Sequence, residues 1–180
     1  KHLDEIARRL AAAAPKEGRA QRFSPPHTTV SVNVIHGGTA HNILAATCEF
    51  EWDVRALPGD SARPVLDELA RHAAARIAEL QAQGKRCSVV TEILADVPAM
   101  GAGDGAAERL ALASGTGAAD TTTVPFATEG GQFQRAGWST VVCGPGSIEQ
   151  AHKPDEFIER SELQACEAFL DRAIARQCMR

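Results

Sequence analysis

Three things are missing from this 180-residue chain, and each excludes a kind of protein. No apolar run approaches the ~18 residues that a membrane-crossing helix needs, and the first residues do not form a signal-peptide pattern. A membrane partner is therefore not expected, and the cytoplasm is the expected location. No cluster of lysine and arginine stands out against a formal net charge of -4 and a pI near 5.9. Phosphate backbones demand such a cluster, so nucleic acid is excluded as a partner. No Cys-x-x-Cys pair occurs among Cys48, Cys87, Cys143, Cys166 and Cys178. An odd number without paired spacing argues against a disulfide framework. Cys143 in an apolar strand and Cys166 on the apolar side of a helix read as small buried hydrophobes, and all five read as structural thiols of a reducing compartment.

What is present is ordinary globular material. Hydrophobic residues make up 44% and charged residues 23%, enough to build a core and too apolar for a disordered chain. The length suits one domain or two small ones, and the change in composition after residue 97 favours two. In residues 1–97, Leu3, Ile6, Ala7, Leu10 and Ala14 recur at helical spacing from His2 until Pro15 and Gly18 interrupt. Thr28 to Ile35 is β-branched, Gly37-Gly38 turns the chain, and Cys48 to Ala56 returns as an antiparallel strand. Pro58, Gly59 and Asp60 open a long helix with Val65, Leu66, Leu69, Ala73, Ile77 and Leu80 on one face, ended near Gly84. Arg86 to Leu94 reads as a further strand. The order α-β-β-α-β is a ferredoxin-like plan lacking its first strand.

Residues 98–180 are richer in glycine and alanine and read as an α/β layer. The pattern predicts helix from Asp104 to Ser114, extended chain from Thr121 to Phe126, helix from Gln132 to Ala136 and strand from Ser139 to Cys143. A final helix starts at Ser161, with Gln164 completing a capping box and Leu163, Cys166, Leu170 and Ile174 as its inward stripe. The fold class is thus α/β overall, with an α+β first domain. Between the last strand and helix, Gly144, Pro145, Gly146 and Pro154 hold His152 on irregular backbone. That is how a metal-ligating imidazole is presented.

Two segments, VIHGGTAHNILAATCEFEWDVRALPGD (34–60) and TEGGQFQRAGWSTVVCGPGSIEQAHKPDEF (128–157), together resemble the metal-dependent aminoacylase, carboxypeptidase and desuccinylase family. Within it they resemble most the branch that deacetylates N-acetylornithine in arginine biosynthesis. The resemblance runs through nearly all of the chain. It implies that residues 1–97 are the lid, or dimerisation domain, and that residues 98–180 are the carboxyl-terminal part of a catalytic domain whose larger part is not here. It implies a hydrolase with two zinc or cobalt ions, an N-acyl amino acid as substrate, and a homodimer formed through the lid.

The resemblance also implies roles for single residues. His152 is a metal ligand. Asn42, after the Gly-Gly-Thr turn, contacts the scissile carbonyl. Arg55 grips the substrate carboxylate through its guanidinium fork. Thr128 and Glu129, in a flexible Thr-Glu-Gly-Gly loop, line the substrate pocket, with Glu129 facing a distal ammonium. Asp155 and Glu156 either orient His152 or solvate the loop. The family pattern places proline shortly after the asparagine, whereas Leu44, Ala45 and Ala46 stand here. The Glu-Glu pair that supplies base and ligand in the family does not occur in these residues. His2-Leu3-Asp4 mimics a metal-binding His-x-Asp but opens an amphipathic helix, so it is read as solvated polar groups. Two other readings stand beside this one: a desuccinylase or other aminoacylase, and a non-catalytic α+β module for dimerisation or small-molecule binding.

Overall fold

The computed structural model describes residues 1–118 and 120–178. It divides into two compact units, Lys1–Ala99 with Thr123–Ala127, and Met100–Thr122 with Thr128–Arg180.

The first unit has α+β character, built from helix α1 (His2–Ala12), strands β1 (Thr29–Gly37) and β2 (Cys48–Arg55), and helix α2 (Arg63–Ala82). The strands pair antiparallel, from Thr29 opposite Arg55 to Gly37 opposite Cys48. Strand alternation sends Val30, Trp52 and Val54 toward the helices, where they meet Leu3, Ile6 and Val65 to form the core, with Ala7, Leu10 and Leu69 packed against it. Ser31, Asp53 and Arg55 consequently lie on the opposite face of the hairpin. The register slips between Val32 and Val34, so Asn33 is the extra residue of a β-bulge. The buried Thr28 ties the hairpin base to the turn after β2. Its Oγ donates to Asp60 Oδ2 (2.7 Å) and accepts from the Leu57 N–H (3.2 Å).

Helix α2 starts with Pro64 in its first turn, later than the Pro58–Asp60 turn suggested. It ends in a Schellman motif: Lys85 N donates to Leu80 O (3.1 Å), Gly84 N donates to Gln81 O (2.9 Å), and Gly84 takes the left-handed conformation at φ 78°. Between the helices, the Arg9 guanidinium donates to both oxygens of Glu68 (3.1 and 2.5 Å), and the His2 ring stacks on His72 at 3.9 Å. The key of this small core is Ile6, 1% exposed. Ile6→Ala should destabilise the first unit by about 2–5 kcal/mol, measured by urea unfolding, because the rigid hairpin cannot collapse into the gap.

The strand expected at Arg86 to Leu94 is not formed. The segment has no ladder partner among the described residues, and Val90 is 90% exposed. A β-strand exists only when a neighbour accepts and donates its backbone hydrogen bonds, and high β-propensity cannot supply one. The first unit therefore holds a two-stranded sheet and an α-β-β-α order.

The second unit contains α3 (Ala106–Ala113), α4 (Gly130–Arg135) and α5 (Arg160–Cys178). The predicted strand Ser139 to Cys143 is also unpaired among the described residues. Ser139 serves the start of α3 instead, its Oγ accepting from Ala107 N (3.0 Å) and donating to Asp104 Oδ1 (2.6 Å). These bonds and the Ala106 N–H hold the Asp104 carboxyl below the usual carboxylate range. Helix α5 begins at Arg160, which places Ser161 inside the helix and removes it from the capping position. Its expected inward stripe is not covered: Leu163, Leu170 and Ile174 are all exposed. Beside the apolar Leu110, Ala111, Phe169 and Ala173, which line a shared cavity, α5 is tied to α3 by polar contacts. Arg172 donates through Nε to Ser114 O (2.6 Å) and through Nη2 to Gly115 O (3.2 Å), at the carboxyl end of α3 where carbonyls lack helical partners. Cys143 is exposed, contrary to the buried reading, as are Cys48 and Cys178.

Candidate functional site

The sequence-selected residues fall on both units. Asn42 and Arg55 belong to the first, Thr128, Glu129 and His152 to the second.

Arg55 ends β2, and its guanidinium is exposed but tethered. Nε donates to Asp53 Oδ2 at 3.0 Å, and Nη1 donates to the Pro125 carbonyl at 3.1 Å. Asp53 is two residues back, on the same strand face, and it faces Ser31, whose Oγ donates to Asp53 Oδ1 at 2.5 Å. Partial burial pushes the Asp53 carboxyl up, but hydrogen bonds from Ser31, Arg55 and Asn33 outweigh it and hold the group below the usual carboxylate range. Asp53 is thus a carboxylate at neutral pH, with Ser31 and Arg55 donating to it.

Asn42 lies in the exposed β1–β2 connection, where Ile43 N donates to Ala40 O (3.3 Å) to close a turn. Its amide has no side-chain hydrogen bond among the described residues, so its donors remain available to a ligand.

Thr128 and Glu129 lead directly into α4, which takes up the two glycines of the expected loop. Glu129 is the residue before α4, and Thr128 Oγ accepts from Gly130 N at 3.1 Å, satisfying one of the helix's free amides. Gly130 and Gly131 are buried inside the helix start. A β-carbon on Gly130 would stand 2.5 Å from Met100 Sδ and 3.0 Å from Thr128 Oγ, so any larger residue here would make the Met100 side chain move. The Glu129 carboxylate is exposed.

His152 is exposed, with left-handed backbone at φ 61°; Asp155 follows at φ 57°. Such geometry in a non-glycine residue is uncommon and is held here by the surrounding turns. Ser147 accepts from Glu149 N (3.2 Å) to cap the short 3-10 turn Ile148–Gln150, and Glu156 Oε2 accepts from the His152 backbone N–H at 3.1 Å. Glu156 therefore fixes the loop and not the imidazole. Among the described residues, no three His, Cys, Asp or Glu side chains converge as a metal shell. A dinuclear centre does not fit the donors described: His152 is one isolated imidazole, and the remaining ligands and the base would have to come from elsewhere.

Sequence reasoning selected Arg55 but missed Asp53 and Pro125, which hold it, and Ser31, which holds Asp53. The Asp-x-Arg spacing on a strand was a legible signal, since residues two apart share a face. The Pro125 contact had none.

Residues 4–81, from α1 through nearly all of α2, match the peptidase dimerisation domain. The similarity extends well beyond that domain, to acetylornithine deacetylases. The chain is 35% identical over 176 residues to the acetylornithine deacetylase of Myxococcus xanthus, covering 94% of this chain and 43% of the relative. It is 32% identical over 163 residues to that of Aliivibrio fischeri, covering 91% and 42%, and 30% identical over 168 residues to that of Vibrio parahaemolyticus, again covering 91% and 42%. The chain thus spans about two fifths of the length of these relatives. No helix among the described residues is long and apolar enough to cross a membrane.

Proposed function

We propose that the protein carrying this chain is a metal-dependent amidohydrolase that removes the acetyl group from N-acetylornithine, or the acyl group from a related N-acyl amino acid, in cytoplasmic arginine biosynthesis. This chain supplies its dimerisation lid and part of its catalytic unit. The observation that carries the reading is that similarity to acetylornithine deacetylases covers 94% of the chain and so reaches through both units, whereas a borrowed lid would match only the first.

Zinc or cobalt would be held by His152 together with ligands outside the residues described. Such a centre would supply a water acidic enough to attack at neutral pH. The chain's own residues bind and orient. Arg55 presents donors to the α-carboxylate, Asn42 offers an amide N–H to the carbonyl oxygen, and Glu129 offers an exposed carboxylate to the distal ammonium. Thr128 ties down the backbone around Glu129 by accepting from Gly130 N. The α+β unit, with both outer edges of its hairpin unpaired among the described residues, supports homodimerisation through the lid. The same observation favours a purely dimerising module as the behaviour of this chain in isolation.

The test is acetate release from N-acetylornithine, by the complete protein and by this chain alone, each with zinc or cobalt added. Turnover is expected only from the complete protein, since one imidazole cannot build the centre. Turnover by the isolated chain would overturn the division of labour. Faster release of succinate from an N-succinyl substrate would move the assignment to a desuccinylase.

A further inference from the structure

We infer that Asp53 is a positioning residue for Arg55: it holds the guanidinium in the one orientation that leaves an end-on pair of N–H groups for a substrate carboxylate. The inference rests on the reading of Arg55 as the carboxylate anchor and adds the device that makes that anchor selective.

An exposed arginine at a strand end is ordinarily a poor anchor, because its long side chain samples many rotamers and binding must freeze them. Arg55 is 59% exposed at its side chain, yet it is fixed at two points: Nε on Asp53 Oδ2 at 3.0 Å and Nη1 on the Pro125 carbonyl at 3.1 Å. Asp53 is itself fixed. Ser31, directly across the ladder, donates to Oδ1 at 2.5 Å.

The geometry restricts how a ligand can bind. The side-on edge of a guanidinium uses Nε and Nη2, and Nε is already engaged. Nη2 has no partner among the described residues, and Nη1 retains one N–H. With Nε engaged, Nη1 and Nη2 are the atoms left to receive a carboxylate end-on. Asp53 also sets a negative charge beside the anchor. A ligand that cannot form the paired hydrogen bonds gains little there from charge alone, so the Asp53–Arg55 pair selects for a planar carboxylate over a diffuse negative charge.

The test uses steady-state kinetics of the complete enzyme with N-acetylornithine and with N-acetylputrescine, its counterpart without the carboxylate. Freeing one rotamer-rich side chain predicts that Asp53→Ala raises KM for N-acetylornithine by about three- to tenfold with kcat little changed. No rise is expected with N-acetylputrescine, and no further rise when Asp53→Ala is added to Arg55→Ala. Asp53→Asn, which keeps an acceptor for Nε, should recover part of the loss. Ser31→Ala, which leaves the Asp53–Arg55 contact in place, should give a smaller rise of the same kind and guards against a misfolded Asp53→Ala. If Arg55→Ala raises KM but Asp53→Ala and Ser31→Ala do not, positioning by Asp53 is refuted while Arg55 remains the anchor. If Arg55→Ala leaves KM unchanged, the anchor itself fails, and the inference fails with it. Equal losses on both substrates would reduce Asp53 to a structural role.

Discussion

Replacing His152 by alanine in the complete protein should reduce deacetylase activity by ~100-fold or more, because residues that merely support a metal ligand already cost roughly 10- to 100-fold when removed. The expectation follows from the loop. His152 sits at φ 61° between the Ser147-capped turn and the left-handed Asp155, and its backbone N–H is held by Glu156. Strained backbone of this kind persists where surrounding structure fixes a side chain for use. With its backbone already secured, the ring is free for a ligand. Metal analysis separates the explanations: the variant should lose bound zinc or cobalt in step with activity and keep its thermal unfolding temperature without metal. Full metal content would remove His152 from the ligand set. Alanine at Glu156 should act differently, lowering activity through loop disorder and less severely, since that carboxylate touches the backbone and not the ring.

The second large effect is expected at Arg55. Arg55→Lys should lower kcat/KM for N-acetylornithine by about 2 kcal/mol, roughly thirtyfold, even though the charge is kept. An ammonium is a single point of charge. It cannot donate to Asp53, to the Pro125 carbonyl and to a substrate carboxylate at once in the planar geometry that the guanidinium provides. Folding should be unaffected, because Arg55 lies on the hairpin face opposite the Leu3, Ile6, Val30 and Val65 core. Unchanged kinetics in Arg55→Lys would dismiss the carboxylate anchor. Glu129→Gln should add a complementary signature, penalising N-acetylornithine more than an N-acetyl amino acid with an uncharged side chain. Equal penalties would leave Glu129 as the residue that precedes α4 and nothing more.

Several features of this protein follow from local chemistry and could be read directly from the chain. The periodicity of Leu3, Ile6 and Leu10 makes α1. The β-branched run after Thr28 and the alternating run before Arg55 make the hairpin. Gly84 stops α2 because a left-handed residue is needed there. Each rests on interactions within a few residues, or between neighbours joined by one turn. The motif residues Asn42, Arg55, Thr128, Glu129 and His152 were equally visible, since the type and spacing of side chains belong to the sequence itself.

Only the tertiary structure decided what those residues touch. Pairing of Arg86 to Leu94 and of Ser139 to Cys143 depends on a neighbouring strand, and β-propensity does not indicate whether one exists. The inward stripe of α5 needs a surface to cover it, and the described residues leave it open. In the Thr-Glu-Gly-Gly segment the two glycines open α4, where Gly130 N donates to Thr128 Oγ and Met100 packs on Gly130. Arg55 is held by Asp53 from two residues away, which alternation allows, and by the Pro125 carbonyl from seventy residues away, which no local pattern encodes. The physical reason is common to all of these. Propensity and periodicity act along the chain, whereas hydrogen-bond pairing and burial are settled by groups that meet only after it has folded.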